Sequence, residues 1–241
     1  MRVSYVCEPA HRVRRRALAL LVTVLLGALP GLAGEGAGEL AILELNGAPP
    51  GRGVPAGWEL KMWKGGEETA EVAVGRDGSR VALHLRSAGN SFALYKKVTF
   101  DIREYPVVTW RWKVTVLPQG GDARQKTKDD QAAQLYVSFP KFPEFVNFRS
   151  VGYIWDSTAP AGSYLRSKKN SRVGYVVVRS GRNGLGEWHA ERRNVYEDYK
   201  RLFDEEPPKV GTVSLGIDSD DTASRAESHF AEVTFLGPPR P

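Results

Sequence analysis

The chain is poor in the residues that support covalent stabilisation and soft-metal chemistry. It has one cysteine, Cys7, and four histidines in 241 residues. Cys7 precedes an apolar run, so a chain cleaved after that run has no thiol for a disulfide, a thiolate metal site or a nucleophile. His84, His189 and His229 share no spacing that would place two of them on one face. We therefore expect neither a zinc centre nor a disulfide framework.

A membrane-spanning run is also lacking. Residues 17–29 are apolar, with an arginine cluster before them and Pro30 and small residues after them. About 13 residues fall short of the roughly 20 that span a bilayer. The pattern predicts a secretory signal peptide at 1–33, and hence a periplasmic or secreted protein with no stable membrane insertion after cleavage.

Basic charge is scarce outside the leader. The formal net charge is +6, but five arginines against Glu8 place +4 of it before residue 17. The remaining chain is near +2, so we expect no nucleic-acid partner. The sequence also has no phosphate-binding loop and no serine nucleophile elbow.

The clearest structural pattern is an alternating strand. Val108, Trp110, Trp112 and Val114 alternate with polar residues, which is typical of a half-buried β-strand with both tryptophans in the core. A charged loop at 120–130 and a second alternating strand at 133–139 follow.

The rest of the chain predicts about ten short strands and one helix. The helix begins after Asn194, with Glu197 three residues later as in a capping box, and runs from Val195 to about Phe203. This organisation predicts an all-β, two-sheet jelly-roll sandwich with one short helix. We assign 34–55 to a flexible lead and 56–237 to a single domain.

Polar positions on three predicted strands suggest a binding face. If those strands are neighbours, aromatic, amide and basic side chains share one surface: Tyr95, Lys97, Arg111, Lys113, Gln134 and Tyr136. Such groups can stack on sugar rings and bind hydroxyls. An ordinary solvated sheet face is the alternative.

The acidic segment 218–221 predicts a cation site. Asp218, Asp220 and Asp221 offer the oxygen ligands that calcium prefers, although Ala223 excludes an EF-hand loop. A solvated Asx turn is the alternative. Asp218 and Asp220 lie about 7 Å apart on an extended chain. That separation is compatible with the carboxyl pair of an inverting glycosidase, and such an enzyme could also use Asp122, Asp129 or Asp130. Asp129 and Asp130 are adjacent and would point to opposite faces of a strand, so they could not form the pair by themselves.

An ordered series of motifs resembles a bacterial exported family, domain of unknown function 3047. The motifs are Ser91–Lys96, Tyr105-Pro106 with Trp110–Lys113, Gly121–Lys126 with Asp129-Asp130, Arg193–Val195 with Asp198-Tyr199, and Asp218–Asp220 with Thr222. The resemblance covers about residues 56–236, and the family tends to have Asn where Asp221 stands. It implies a galactose-binding-like or related jelly-roll architecture and no established activity.

We hypothesise an exported, non-catalytic sandwich that binds a carbohydrate or cell-envelope glycan, with a structural calcium ion. The ligand site would gain residues from the charged motifs if they converge: Arg124, Asp129, Asp130, Arg193 and Asp198. A glycan hydrolase with paired aspartates and an envelope assembly partner are the alternatives. A buried ion-pair clasp is the structural explanation for the 122–130 loop.

Overall fold

A computed structural model describes residues 38–143 and 147–238. The predicted signal peptide at 1–33 lies outside the described residues. Among the described residues, no helix is both long and apolar enough to cross a membrane.

The described chain forms two sheets of seven strands each. Sheet A has the order β12-β7-β14-β5-β4-β2, with β1 also paired to β14. Its strands are β1 (Glu39–Leu43), β2 (Gly51–Arg52), β4 (Glu71–Asp77), β5 (Arg80–Ala88), β7 (Val107–Val116), β12 (His189–Asn194) and β14 (Arg225–Leu236). Sheet B has the order β10-β11-β9-β8-β13-β6-β3. Its strands are β3 (Glu59–Lys64), β6 (Ser91–Phe100), β8 (Ala133–Pro140), β9 (Phe148–Asp156), β10 (Tyr164–Arg166), β11 (Val173–Ser180) and β13 (Val210–Asp218).

The core lies between the two sheets and is rich in aromatic rings. Trp110 and Trp112 of β7 are buried, as the alternation predicted. The Trp110 ring lies 5.3 Å from Tyr153 of β9, and Trp112 lies 6.0 Å from Trp155 of the same strand. These contacts join sheet A to sheet B through the inward-facing side of each strand. The predicted two-sheet jelly-roll sandwich is confirmed.

The single α-helix of the described chain, α1 (Val195–Phe203), closes one end of the core. Asn194 caps it, because its side-chain oxygen accepts a hydrogen bond of 3.1 Å from the backbone N–H of Glu197. Leu202 packs against β11 at Gly174, where a Cβ would lie 2.9 Å from the leucine methyls. The predicted bounds and cap of the helix are both confirmed.

The predicted flexible lead at 34–55 is corrected over part of its length. Residues 39–43 pair with β14, and residues 51–52 pair with β4. Ile42, Leu43 and Leu45 are buried in the core. The Gly and Pro content of this stretch obscured a short apolar strand, which burial and pairing with β14 hold in place.

Candidate functional site

A cleft of about 430 Å³ lies on the outer face of sheet B. Its floor comes from neighbouring strands, because Ser214 of β13 pairs with Tyr136 of β8, and Tyr136 pairs with Gly152 of β9. Trp63, Lys169 and residues of two loops form its sides. We call this concavity the cleft throughout.

Two tyrosine rings form the aromatic part of the floor. Tyr136 and Tyr175 lean over Gly152, where an added Cβ would lie 2.6 Å from the first ring and 3.0 Å from the second. Their ring centroids are 6.4 Å apart. A side chain at position 152 would therefore lift both rings from the sheet. Trp63 adds a third ring that is 59% exposed.

Small hydroxyl groups form the polar part of the floor. Ser138, Ser150 and Ser214 all line the cleft. The hydroxyls of Ser138 and Ser150 lie 3.0 Å apart across β8 and β9. Successive side chains of a strand point to opposite faces of the sheet. Because the neighbouring Val137 and Val151 point into the core, these serines lie on the outer face.

The long loop between β7 and β8 folds over the outer face of sheet B and forms one side of the cleft. Ala123 packs in a second apolar cluster with Ile154, Ala159 and Val177. Buried Asp156 accepts hydrogen bonds from the backbone N–H groups of Ala123, Thr158 and Ala159 at 2.9, 2.7 and 2.6 Å. The loop is therefore fixed by packing and hydrogen bonds.

Asp129 is a buried carboxyl group at the end of this loop. One carboxyl oxygen accepts from Nε2 of Gln131 at 2.8 Å, and the other accepts from the hydroxyls of Ser167 at 3.3 Å and Tyr175 at 3.4 Å. Gln131 in turn accepts from Gln134 at 2.7 Å. Burial raises the pKa of Asp129 to about 6, although these donors oppose the shift. This carboxyl group therefore titrates near pH 6.

Asp218 and Asp220 bring two more carboxyl groups to the same end of the cleft. Burial, a hydrogen bond with Asp220 and the nearby charge of Asp130 raise the pKa of Asp218 well above its usual range. Within residues 38–143 and 147–238, no side-chain nitrogen of a basic residue lies within 4.0 Å of the carboxylate oxygens of Asp129, Asp218 or Asp220. Carboxyl groups with shifted pKa values and no structural counter-ion are typical of functional clefts.

Lys169 lies at the rim of the cleft but is already paired. Its ammonium group lies 2.5 Å from Oδ2 of Asp221. The same oxygen accepts a hydrogen bond of 3.0 Å from the backbone N–H of Asp129. Lys169 therefore balances Asp221 and leaves the acids of the cleft without their own cation.

Asp130, although adjacent to Asp129, points away from the cleft and joins two loops. It accepts from the backbone N–H groups of Asp221 and Thr222 at 3.1 and 2.7 Å, and from the Thr222 hydroxyl at 2.6 Å. This arrangement fixes the end of the long loop to the turn after β13. The clasp expected for this loop is thus built mainly from carboxylate-to-backbone hydrogen bonds.

The structure assembles a different acidic triad from the predicted one. Single carboxylate oxygens of Asp130, Asp220 and Asp221 lie within 4.8 Å of one another, a cluster that could hold a metal ion. Asp218 of the predicted set faces the cleft instead. The oxygen donors suit a hard cation, but the bonds of Asp130 to the turn and of Asp221 to Lys169 already satisfy much of their charge.

A second hollow of about 450 Å³ lies beside β1. Glu232, one of the residues that line it, is bonded to Arg80 at 3.2 Å and to Arg111 at 2.7 Å. No aromatic side chain is found among the described residues that line this hollow. Glu232 is thus paired within the protein and the hollow has no aromatic surface, so we place the candidate site in the cleft.

The predicted six-residue binding face is divided between the two sheets. Tyr95, Lys97, Gln134 and Tyr136 lie in sheet B, whereas Arg111 and Lys113 lie on β7 of sheet A. The prediction that the three strands are neighbours was wrong, because β7 pairs with β12 and β14, which come much later in the chain.

The predicted pair Arg193 and Asp198 forms a separate, partly buried network. Arg193 donates to both carboxylate oxygens of Asp198, at 3.0 and 2.5 Å. The hydroxyls of Tyr153 and Tyr164 donate to the same carboxylate at 3.0 and 2.6 Å. This network joins the start of α1 to β9 and β10, and its hydrogen-bonding groups are occupied by one another.

The remaining predicted residues are also bonded locally. Arg124 donates to both oxygens of Asp122 at 2.8 Å, and this pairing holds the pKa of Asp122 well below its usual range. Tyr95 donates to Glu59 at 2.5 Å, and Lys97 lies 2.9 Å from the same carboxylate. The charged motifs therefore do not converge on one site.

Sequence reasoning missed the serines of the cleft floor and three larger side chains: Trp63, Lys169 and Tyr175. Trp63 ends a predicted strand, Lys169 lies in a basic loop and Tyr175 lies within an apolar run. Their positions on one surface follow from the pairing of β9 with β11 and of β3 with β6, which involves distant parts of the chain.

The fold and the cleft define a class: a two-sheet jelly-roll sandwich with a polar and aromatic concavity on one outer face. The model of the family described as "Protein of unknown function (DUF3047)" matches residues 56–234, and the chain belongs to this family. A search of curated proteins found no match.

Solved structures of similar shape include sandwich domains of low sequence identity. The family 11 carbohydrate-binding module of a cellulosomal cellulase of Clostridium thermocellum is 8% identical, with a TM-score of 0.45 over 84% of this chain and 96% of that one. The family 30 module of another cellulosomal cellulase of that organism is 10% identical, with a TM-score of 0.43 and coverages of 84% and 99%. The family 11 xylanase from Neocallimastix patriciarum is 11% identical, with a TM-score of 0.39 and coverages of 82% and 99%.

Proposed function

We propose that this protein is an exported, non-catalytic module that binds a carbohydrate in the cleft of sheet B. The observation that carries the proposal is the exposed Trp63 ring beside a floor of two tyrosines and serine hydroxyls. Aromatic rings stack against the apolar faces of sugars, and hydroxyl or amide groups bind their polar edges. A cell-envelope glycan is the class of ligand that an exported protein would meet.

The electrostatics of the cleft favour an uncharged or basic ligand end over an acidic one. Asp129, Asp218 and Asp220 gather at one end, where the nearest lysine, Lys169, is paired with Asp221. Asp218, whose pKa is raised well above its usual range, is protonated, but Asp129 is ionised above about pH 6. A carboxylate-bearing sugar would meet that like charge, and like charges oppose binding.

Binding is tested directly with neutral oligosaccharides on a glycan array and by titration calorimetry. We expect saturable binding, which Trp63→Ala weakens about tenfold or more because the stacking surface is lost. Val116→Ala removes an exposed apolar side chain from sheet A and is the matched control. The proposal fails if no glycan binds, or if both variants weaken binding equally.

A glycan hydrolase is the second candidate function. The observation that favours it is the presence of two carboxyl groups in one cleft with different raised pKa values: burial raises the pKa of Asp129 to about 6, and burial together with the Asp220 carboxyl raises that of Asp218 well above its usual range. Hydrolysis of a glycosidic bond requires one protonated acid and one ionised carboxylate, and different environments supply that difference. Asp218 would supply the acid and Asp129 the carboxylate.

Release of reducing ends from polysaccharides separates the two candidates. A hydrolase predicts turnover that Asp129→Asn and Asp218→Asn abolish while the glycan still binds. Binding without turnover in the unmodified protein, across neutral and acidic polysaccharides, would leave only the binding module.

A structural calcium ion is a further proposal, at the triad of Asp130, Asp220 and Asp221. An ion there would compete with the Lys169 ammonium for Asp221. We expect calcium to raise the melting temperature relative to chelator, since a ligand that binds only the folded state stabilises it. Lys169→Met should increase this effect and Asp220→Asn should remove it. A melting temperature independent of calcium in all three chains contradicts the proposal.

Export is supported by the leader pattern at 1–33. In a bacterial host that carries the full chain, we expect the periplasmic or secreted form to begin near residue 34. The intact mass of that form tests the cleavage, and a full-length cytoplasmic product would contradict it.

A further inference from the structure

The cleft continues into a second hollow on the same face of sheet B. This far hollow has a volume of about 950 Å³ and shares Ser138 and Phe148 with the cleft. It extends over Pro140 at the end of β8 and over Gly211 and Thr212 of β13. The two hollows therefore form one groove along the direction of these two strands.

The length of the groove is set by the strands beneath it. Gln134 lies in the cleft and Pro140 in the far hollow, six residues further along β8. At ~3.3 Å per residue this distance is roughly 20 Å, which is several times the length of one sugar ring. A single sugar would leave most of the groove empty.

The middle of the groove presents small polar groups. Thr212 pairs with Ser138, and Ser138 pairs with Ser150, so the three hydroxyl-bearing residues form one row across β13, β8 and β9. On β6 the row continues to Lys97, whose ammonium lies 2.9 Å from the carboxylate of Glu59. Hydroxyl groups both donate and accept, and they therefore match the hydroxyls of a sugar chain.

The two ends of the groove carry opposite charge. Asp129 and Asp220 lie at the cleft end, whereas Lys209 lines the far hollow. Lys97 lies level with Thr212 and is already paired with Glu59. A polymer with a negative charge on every unit would meet the acids at one end, and a polymer with a positive charge on every unit would meet Lys209 at the other. Only an uncharged repeat avoids repulsion at both ends.

We propose that the groove binds a linear, uncharged polysaccharide along β8 and β13, so that the protein recognises several consecutive units inside the chain. This inference rests on the proposed carbohydrate-binding function and names its ligand class. The cleft holds one unit against Trp63 and the tyrosines, and the hydroxyl row and far hollow hold the following units.

The test is a length series of neutral linear oligosaccharides, with cello-, xylo-, manno- and malto-oligosaccharides as probes, measured by titration calorimetry. For the series that binds, we expect the affinity to rise by about tenfold or more between two units and five, and then to level off when the groove is full. Equal affinity at all lengths overturns the inference and leaves the proposed function intact. If no probe binds at any length, the proposed function fails as well.

A blocking variant adds an independent measurement. Thr212→Trp places a large ring in the far hollow, and we expect it to remove the gain from added units while the two-unit ligand binds as before. Trp63→Ala should weaken short and long ligands by similar factors. If Thr212→Trp folds and leaves the length dependence unchanged, the far hollow takes no part in binding. The length series on the unmodified chain decides the question if this variant does not fold.

Discussion

The carboxylates that the structure describes on the outer face of sheet A are paired with basic side chains, whereas those in the cleft of sheet B are not. On sheet A, Lys113 is 8% exposed, and its ammonium lies 2.5 Å from Oδ2 of Asp77. The indole N–H of Trp188 donates to the same oxygen at 2.5 Å. Glu227 accepts from Arg86 at 2.8 Å and lies 2.6 Å from the ring nitrogen of His84. Each of these carboxylates has a cation beside it.

On sheet B, the cleft gathers carboxyl groups that lack such cations. The pKa of Asp77 on sheet A is lowered by its bond with Lys113, whereas the pKa of Asp129 in the cleft is raised by burial. A buried acid without a counter-ion costs stability when it ionises. The cleft therefore keeps a loss of stability that the outer face of sheet A does not have, as expected for a site that serves binding or catalysis.

The largest effect should come from breaking the pairing on sheet A. Asp77→Ala leaves the nearly buried ammonium of Lys113 without a partner, and we expect a loss of about 3 kcal/mol in the free energy of unfolding. Chemical denaturation monitored by tryptophan fluorescence measures it. Arg103→Ala is the control, because solvent screens the exposed Arg103–Asp101 pair and its loss should change the stability much less. Equal losses in both variants would contradict the assigned difference.

In the cleft, removal of a carboxyl group is expected to stabilise the protein. Asp129→Asn removes a carboxyl whose pKa is raised from 3.8 to about 6 in the folded state. A raised pKa favours folding of the protonated form, so its contribution is fully present below about pH 4 and is lost as the pH rises through about 6. At about pH 7.5 the variant should therefore be more stable by ~2 kcal/mol.

The same variant measured at about pH 4 is its own control. There Asp129 is protonated in the folded state, and the gain should shrink to within ~0.5 kcal/mol of zero. A gain that is equal at both pH values would indicate a packing effect instead of a charge effect.

Individual strands and the helix were predictable from the sequence. The difference in charge pairing between sheet A and the cleft was not. The alternation around Trp110 and Trp112 predicted a half-buried strand, and Asn194 with Glu197 predicted a capped helix, because both patterns depend on near neighbours in the chain. Sheet membership depends on distant pairing. β7 pairs with β14, more than a hundred residues later, so Arg111 and Lys113 were assigned to the wrong face.

The candidate site was predictable only in part, because some of its residues follow local patterns and others are brought together by distant pairing. Tyr136 and the acids Asp129, Asp218 and Asp220 were identified by residue type and alternation, and all four line the cleft. Their separation from Asp130 and Asp221 depends on how two loops meet at the turn after β13. Sequence spacing alone does not determine which carboxylates face the same hollow.

A smaller effect is expected from acid titration of sheet A. Burial favours the protonated form of Glu227, but the bonds from Arg86 and His84 outweigh it and hold its pKa down to about 2. A lowered pKa contributes stability above about pH 4.5 that is lost as the pH falls through about 2. With allowance for solvent screening, Glu227→Gln should cost ~1 kcal/mol at about pH 7 and less at about pH 3. A larger cost at the lower pH would reverse the assigned sign.

The smallest effect is expected at the edge of the cleft loop, where Arg124 pairs with Asp122. The Arg124 side chain is 46% exposed, so solvent screens its charge. In Arg124→Ala the carboxylate of Asp122 keeps its bonds from the backbone N–H of residue 124 and from Nε2 of Gln125. We therefore expect no clear loss of stability by chemical denaturation and unchanged glycan affinity. A tenfold loss of affinity without a loss of stability would instead place Arg124 in the binding site and extend that site beyond the cleft.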